Sequence, residues 1–94
     1  MKNFNNRKEI EEYFKDEVFK FAYMSDNMMT FETLNPKNIH GNFYNFELVF
    51  CYSAHTSFFA YSSLTEWLDC FEILEVSMKT VGNEAETSLF TNYK

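Results

Sequence analysis

The chain has 94 residues, the length of one domain spanning residues 1–94. Eight basic residues against fourteen acidic ones leave a net charge of −6. The basic residues are scattered and diluted by acids, which excludes direct nucleic-acid binding and attachment to an anionic membrane surface, since both need a cationic patch.

No apolar run approaches the roughly 20 residues that span a bilayer. Met1 to Lys8 is polar and lacks the apolar segment of a secretory signal. Cys51 and Cys70 form no spaced framework, so they read as reduced thiols of a cytoplasmic protein. Seven lysines to one arginine, with many Asn, Phe and Tyr, suggest the AT-rich coding sequence of a bacterium, plasmid or phage.

Asn6 followed by Glu9 resembles a capping box. Ile10, Tyr13, Phe14, Val18, Phe21 and Ala22 then recur at helical spacing and predict a helix over 7–24. On such a helix Phe19 and Tyr23 point away from the apolar stripe, among Glu9, Glu12 and Asp16, where two rings can anchor a partner. Ser25-Asp26-Asn27 breaks the helix, and Met29 to Leu34 is a strand candidate. Turns come next at Asn35-Pro36-Lys37-Asn38 and Gly41-Asn42.

The clearest strand lies beyond them. Tyr44, Phe46, Leu48, Phe50 and Tyr52 alternate with Asn45, Glu47, Val49, Cys51 and Ser53, so one face packs on a core and the other is mixed. Ser53 to Thr56 connects it to a third strand, Ser57 to Ser62. Ser63 and Glu66 mark a second helix start, and Leu64, Trp67, Leu68, Phe71, Leu74, Met78 and Val81 share one helical face up to Gly82. Residues 74–80 also alternate like a strand, which would pair through Gly82-Asn83 with Thr87 to Tyr93. The continuous helix is the preferred assignment. The predicted fold is an α+β two-layer domain: N-terminal helix, three-stranded antiparallel sheet, second helix and an extended C-terminal tail, with a further hairpin as the alternative.

From Asn38 to Met78 there is no lysine or arginine, but there are ten of the nineteen aromatics and five carboxylates, Glu47, Glu66, Asp69, Glu72 and Glu75. Such a surface is neutral or negative and attracts basic protein surfaces. The four later acids recur every three residues, a spiral on a straight helix, and with Glu47 they predict a negative band. Solvated helix acids are the plainer explanation of the same residues.

Chemistry is sparse. Cys51, His55, Cys70 and Asp69 lack the close pairs of a zinc site. Neither cysteine, with His40 or His55, sits in a nucleophile signature, and two glycines make no phosphate cradle. No metal, cofactor or catalytic residue is assigned. Three classes remain. The first is an acidic inhibitor that occupies the basic surface of a nucleic-acid-handling protein, through Glu47, Glu66, Asp69, Glu72 and Glu75, with Phe19 and Tyr23 as a second patch. In size and charge alone this looks like small anti-restriction, anti-CRISPR and toxin-immunity proteins, some of which mimic phosphates. The second is a structural or adaptor domain that dimerises through surplus aromatics. The third is a small enzyme with an unseen site.

Overall fold

A computed structural model describes residues 3–51, 63–83 and 85–93. The chain opens with helix α1 (Arg7–Phe14). Asn6 caps it from extended backbone, its side-chain oxygen accepting the Glu9 amide at 3.0 Å. The Glu9 carboxylate reaches back to the Asn5 amide at 2.7 Å. Ile10 and Phe14 are fully buried.

The predicted helix over 7–24 stops at Phe14, where a bond from the Glu17 amide to the Phe14 carbonyl (2.9 Å) turns the chain. The chain then enters strand β1 (Phe19–Ser25), paired antiparallel with β2 (Met28–Thr33). Phe19 and Phe21 also fit a period of two, and pairing with β2 sets Phe21 against Phe31, ring centroids 5.9 Å apart. That cross-strand partner outweighs helix propensity.

A short β3 (Lys37–Ile39) turns into β4 (Asn42–Cys51) through His40 and Gly41, both left-handed (φ +52° and +88°), as a two-residue type I′ hairpin requires. The third strand expected at Ser57 to Ser62, and its connection, lie outside the described residues. Helix α2 (Leu64–Cys70) starts where its capping residue Ser63 places it, the hydroxyl accepting the Glu66 amide at 3.2 Å.

Helix α2 does not continue to Val81. It ends at Cys70, and β5 (Ile73–Thr80) pairs with β4 on one side and β6 (Glu86–Thr91) on the other. The hairpin alternative is therefore the structure adopted, and β6 replaces the expected tail. A helix would have satisfied the Leu74/Met78 stripe alone. The strand instead sets Val76 opposite Leu48 and Met78 opposite Phe46. The three-stranded prediction is thus overturned. One antiparallel sheet of six strands dominates, in the order β1-β2-β4-β5-β6, with β3 beside the first part of β4, and only two short helices accompany it among the described residues.

Both helices cover one sheet face. Phe31, Phe46, Leu48, Phe50 and Val76 meet Ile10 and Phe14 of α1 and Leu64, Trp67 and Leu68 of α2 in a single buried cluster. Trp67 stacks on Phe31 at 4.2 Å with the rings 22° apart, and Phe14 meets Phe46 edge-on at 5.1 Å. Much of the aromatic surplus is therefore core. No described helix is long and apolar enough to cross a membrane.

Where β2 ends, the buried Thr33 hydroxyl accepts the Phe46 amide at 3.1 Å, so a side chain extends the β2–β4 ladder. Thr33→Val keeps the shape and removes this acceptor. It should lower stability by about 1–3 kcal/mol in chemical denaturation; an unchanged midpoint would show that the amide finds another acceptor.

Candidate functional site

Alternation sends the other residues of each strand to the sheet face opposite the helices. In the observed register this face carries Lys20 and Tyr23 of β1, Met28, Thr30 and Glu32 of β2, and Glu47, Val49 and Cys51 of β4. Glu75, Ser77 and Lys79 of β5 and Glu86, Ser88 and Thr91 of β6 lie on it as well. A bulge between Phe21 and Tyr23 shifts Tyr23 onto this side, level with Thr30.

The face is concave. In a flat sheet Tyr23 and Tyr93, at opposite edges, would stand four strand spacings or about 19 Å apart. Instead they line one groove of about 390 Å³, together with Thr30, Glu47, Val49, Glu75, Ser77, Lys79 and Glu86. Thr30 and Ser77 at its floor are 2% and 4% exposed although neither belongs to the helix-covered core. Asn92 and Tyr93 form one wall: the Asn92 amide bonds the Leu74 carbonyl at 2.8 Å, and the Tyr93 hydroxyl donates to Glu75 Oε1 at 3.0 Å.

Three carboxylates, Glu47, Glu75 and Glu86, share this groove with one ammonium, Lys79. Lys79 Nζ lies 3.6 Å from Glu47 Oε1, an ion pair longer than a direct hydrogen bond. Beside the groove Lys20 pairs with Glu32 at 3.3 Å. Burial and the bond to Glu75 raise the Tyr93 pKa above its ordinary value, because both favour the neutral phenol.

The predicted negative band is divided by the sheet. Glu47, Glu75 and Tyr23 come together in the groove. Glu66 and Asp69 stand on α2, across the sheet, and Glu72 comes just after it. Glu66 belongs to the Ser63 cap, Asp69 lies 3.6 Å from Arg7, and Glu72 accepts the Asn92 side-chain amide at 3.2 Å. The spiral of four acids does not form because α2 ends before Glu72 and Glu75. Phe19 leaves the partner surface, packing on Phe14 at 5.4 Å. Thr30, Ser77, Lys79, Glu86 and Tyr93 line the groove without having been marked as site residues by the sequence. The strand-like alternation of residues 74–80 already placed Glu75, Ser77 and Lys79 on one side.

The thiols of Cys51 and Cys70 are free, one at the end of β4 and the other exposed at the end of α2. His40 sits in the β3–β4 turn, and His55 lies outside the described residues. Among the described residues no group of three or more His, Cys, Asp or Glu is placed to hold a metal.

No protein family, curated protein or solved structure matches this chain.

Tyr13 is also raised, mainly by burial and against the opposing pull of Lys37, whose Nζ lies 5.0 Å over its ring. Both phenols bind their protons more tightly folded than unfolded. Their contribution to stability is complete below the unfolded value and falls away as pH rises through the folded one. A tyrosinate absorbance titration should show late components above the ordinary tyrosine pKa of about 10, and Tyr93→Phe should remove one of them. A single uniform transition in both proteins would contradict the assigned contacts.

Proposed function

We propose that the protein is a small, non-catalytic, acidic binding module of the cytoplasm. It docks on the basic surface of a nucleic-acid-handling protein and blocks it, in the manner of anti-CRISPR, anti-restriction or toxin-immunity proteins. The observation that carries this reading is the convergence of Glu47, Glu75 and Glu86 in one concave groove walled by Tyr23 and Tyr93. Carboxylates held in a concave face focus a negative potential, which steers a cationic partner and suits a surface that ordinarily holds phosphates. Tyrosines beside them supply rigid apolar contact, as at interface anchors.

The rest of the molecule reinforces the field. Arg7, Lys20, Lys37 and Lys79 are each ion-paired. Glu11, Glu12, Asp16 and Glu66 form no ion pair among the described residues. Lys8 and Lys15 likewise form no ion pair among the described residues, so the helix side carries a smaller excess of negative charge, these four acids against two lysines. Glu66 and Glu72 contribute to long-range attraction, the charge of Asp69 being offset by Arg7, while Glu47 and Glu75 make the contact.

A second reading has its own observation. Edge strand β1 exposes Tyr23 and Met24, 55% and 44% exposed, and an apolar edge invites pairing with a second copy.

The test is capture from cytoplasmic extract on immobilised protein, eluted by rising salt, with a nucleic-acid-binding assay of what is captured. The expected outcome is a basic nucleic-acid enzyme, released by salt and inhibited by the protein. Glu47→Gln and Glu75→Gln should each weaken capture roughly tenfold, the effect of losing one charged hydrogen bond, with Glu66→Gln close to neutral. Capture indifferent to salt and to the groove substitutions would overturn this reading. A bait that binds only itself and runs larger than a monomer would establish the second one.

A further inference from the structure

We infer that the groove is a receptor for one arginine side chain presented by the partner protein. This rests on the proposed binding of a basic partner and narrows it to a chemical group.

The floor of the groove holds polar groups that have no partner among the described residues. Thr30 and Ser77 are more than nine-tenths buried, yet neither hydroxyl has a hydrogen-bond partner among the described residues. Thr33, the other buried threonine of β2, uses its hydroxyl to hold the Phe46 amide. Among the described residues no sealed side-chain nitrogen or oxygen lacks a partner, so the Thr30 and Ser77 hydroxyls open onto the groove that both residues line. Polar groups kept at the bottom of a concavity, with nothing of the protein's own to bond, are suited to a ligand.

Charge and shape select the ligand. Ser77 stands opposite Glu47, and Glu75 and Thr30 stand opposite Val49 from either side. The two carboxylates are thus diagonal neighbours, about 7–8 Å apart at the backbone, with the hydroxyls beside them. Carboxylates accept only, and hydroxyls accept as readily as they donate. The Tyr93 hydroxyl occupies one position on Glu75 and leaves the rest of that carboxylate open. A guanidinium brings five N–H donors in a flat fork, matches two carboxylates at once and stacks on tyrosine rings. An ammonium brings a compact, strongly hydrated charge, and Lys79 already places one beside Glu47. The surplus of two carboxylates over Lys79 sets the sign of the ligand, and the tyrosine walls at Tyr23 and Tyr93 favour arginine over lysine.

The experiment titrates the whole protein with three blocked tripeptides, glycine-arginine-glycine and its lysine and citrulline counterparts, monitored through backbone amide resonances. The arginine peptide should shift Tyr23, Thr30, Glu75 and Ser77 saturably. The lysine peptide should bind several-fold more weakly and the neutral citrulline peptide should not bind. Glu75→Gln should weaken the arginine peptide about tenfold, and Thr30→Val, which preserves shape, should weaken it while leaving the dispersed spectrum of a folded protein. Equal binding of the lysine peptide would overturn the arginine assignment and leave a cation-binding module standing. No peptide binding in the groove would also overturn it. In that case, capture of the basic enzyme that still depends on Glu47 and Glu75 would preserve the broader reading, and its loss of that dependence would remove both.

Discussion

Successive residues of β4 must go to different environments, and the molecule is arranged around that requirement. Phe46, Leu48 and Phe50 have no exposed area, so a layer has to cover their side of the sheet. Helices α1 and α2 do this with Phe14 against Phe46 and Trp67 against Phe31. Burying several aromatic rings in so short a chain supplies the apolar area that a small domain otherwise lacks. Both helices are committed to one face, and the residues between, Glu47 and Val49, are left to form the opposite one. Pairing β4 with β2 and β5 then fixes what stands beside them: Thr30 and Glu32 on one flank, Glu75 and Ser77 on the other. A slip of one residue in either pairing would reverse this arrangement.

Strand β4 and both helix starts were legible in the sequence because each rests on local chemistry. Alternation over ten residues has no helical rival, and Asn6 and Ser63 cap helices through groups three residues away. The errors lie where two periods fit the same residues. Phe21 completes the stripe of Ile10 and Phe14, but it is also the alternate neighbour of Phe19. Leu74 and Met78 extend the stripe of Trp67 and Leu68, but they also flank Val76. In both segments the deciding contact comes from another strand, Phe31 of the next strand for β1 and Leu48 of the distant β4 for β5, and the periodicity of the segment alone does not register it.

The candidate site was legible only in its charges. Glu47 and Glu75 stood out because the surrounding sequence lacks cations. Thr30 and Ser77 carry no such mark, since a threonine or serine in a strand is ordinary. They become notable only when the register sets them at the floor of a concavity. Tyr93 acquires a role because β6 returns the chain beside β5, so that its hydroxyl reaches Glu75. Glu66 and Asp69 had the same mark as Glu47, but α2 places them on the far side of the sheet. Negative charge thus divides by position, and in the proposed binding the groove carboxylates make the contact while the helix-side acids add a longer-range field that salt screens within a Debye length.

The central claim is that binding takes place on the sheet face opposite the helices. Hydrogen exchange of the protein alone and in complex with its captured partner tests this most directly. Slowed exchange is predicted along the groove walls, in β1 around Tyr23 and in the β6 segment leading to Tyr93, with α1 and α2 unchanged. Protection centred on α2, around Glu66 and Asp69, with the β1 and β6 walls unaffected, would contradict it.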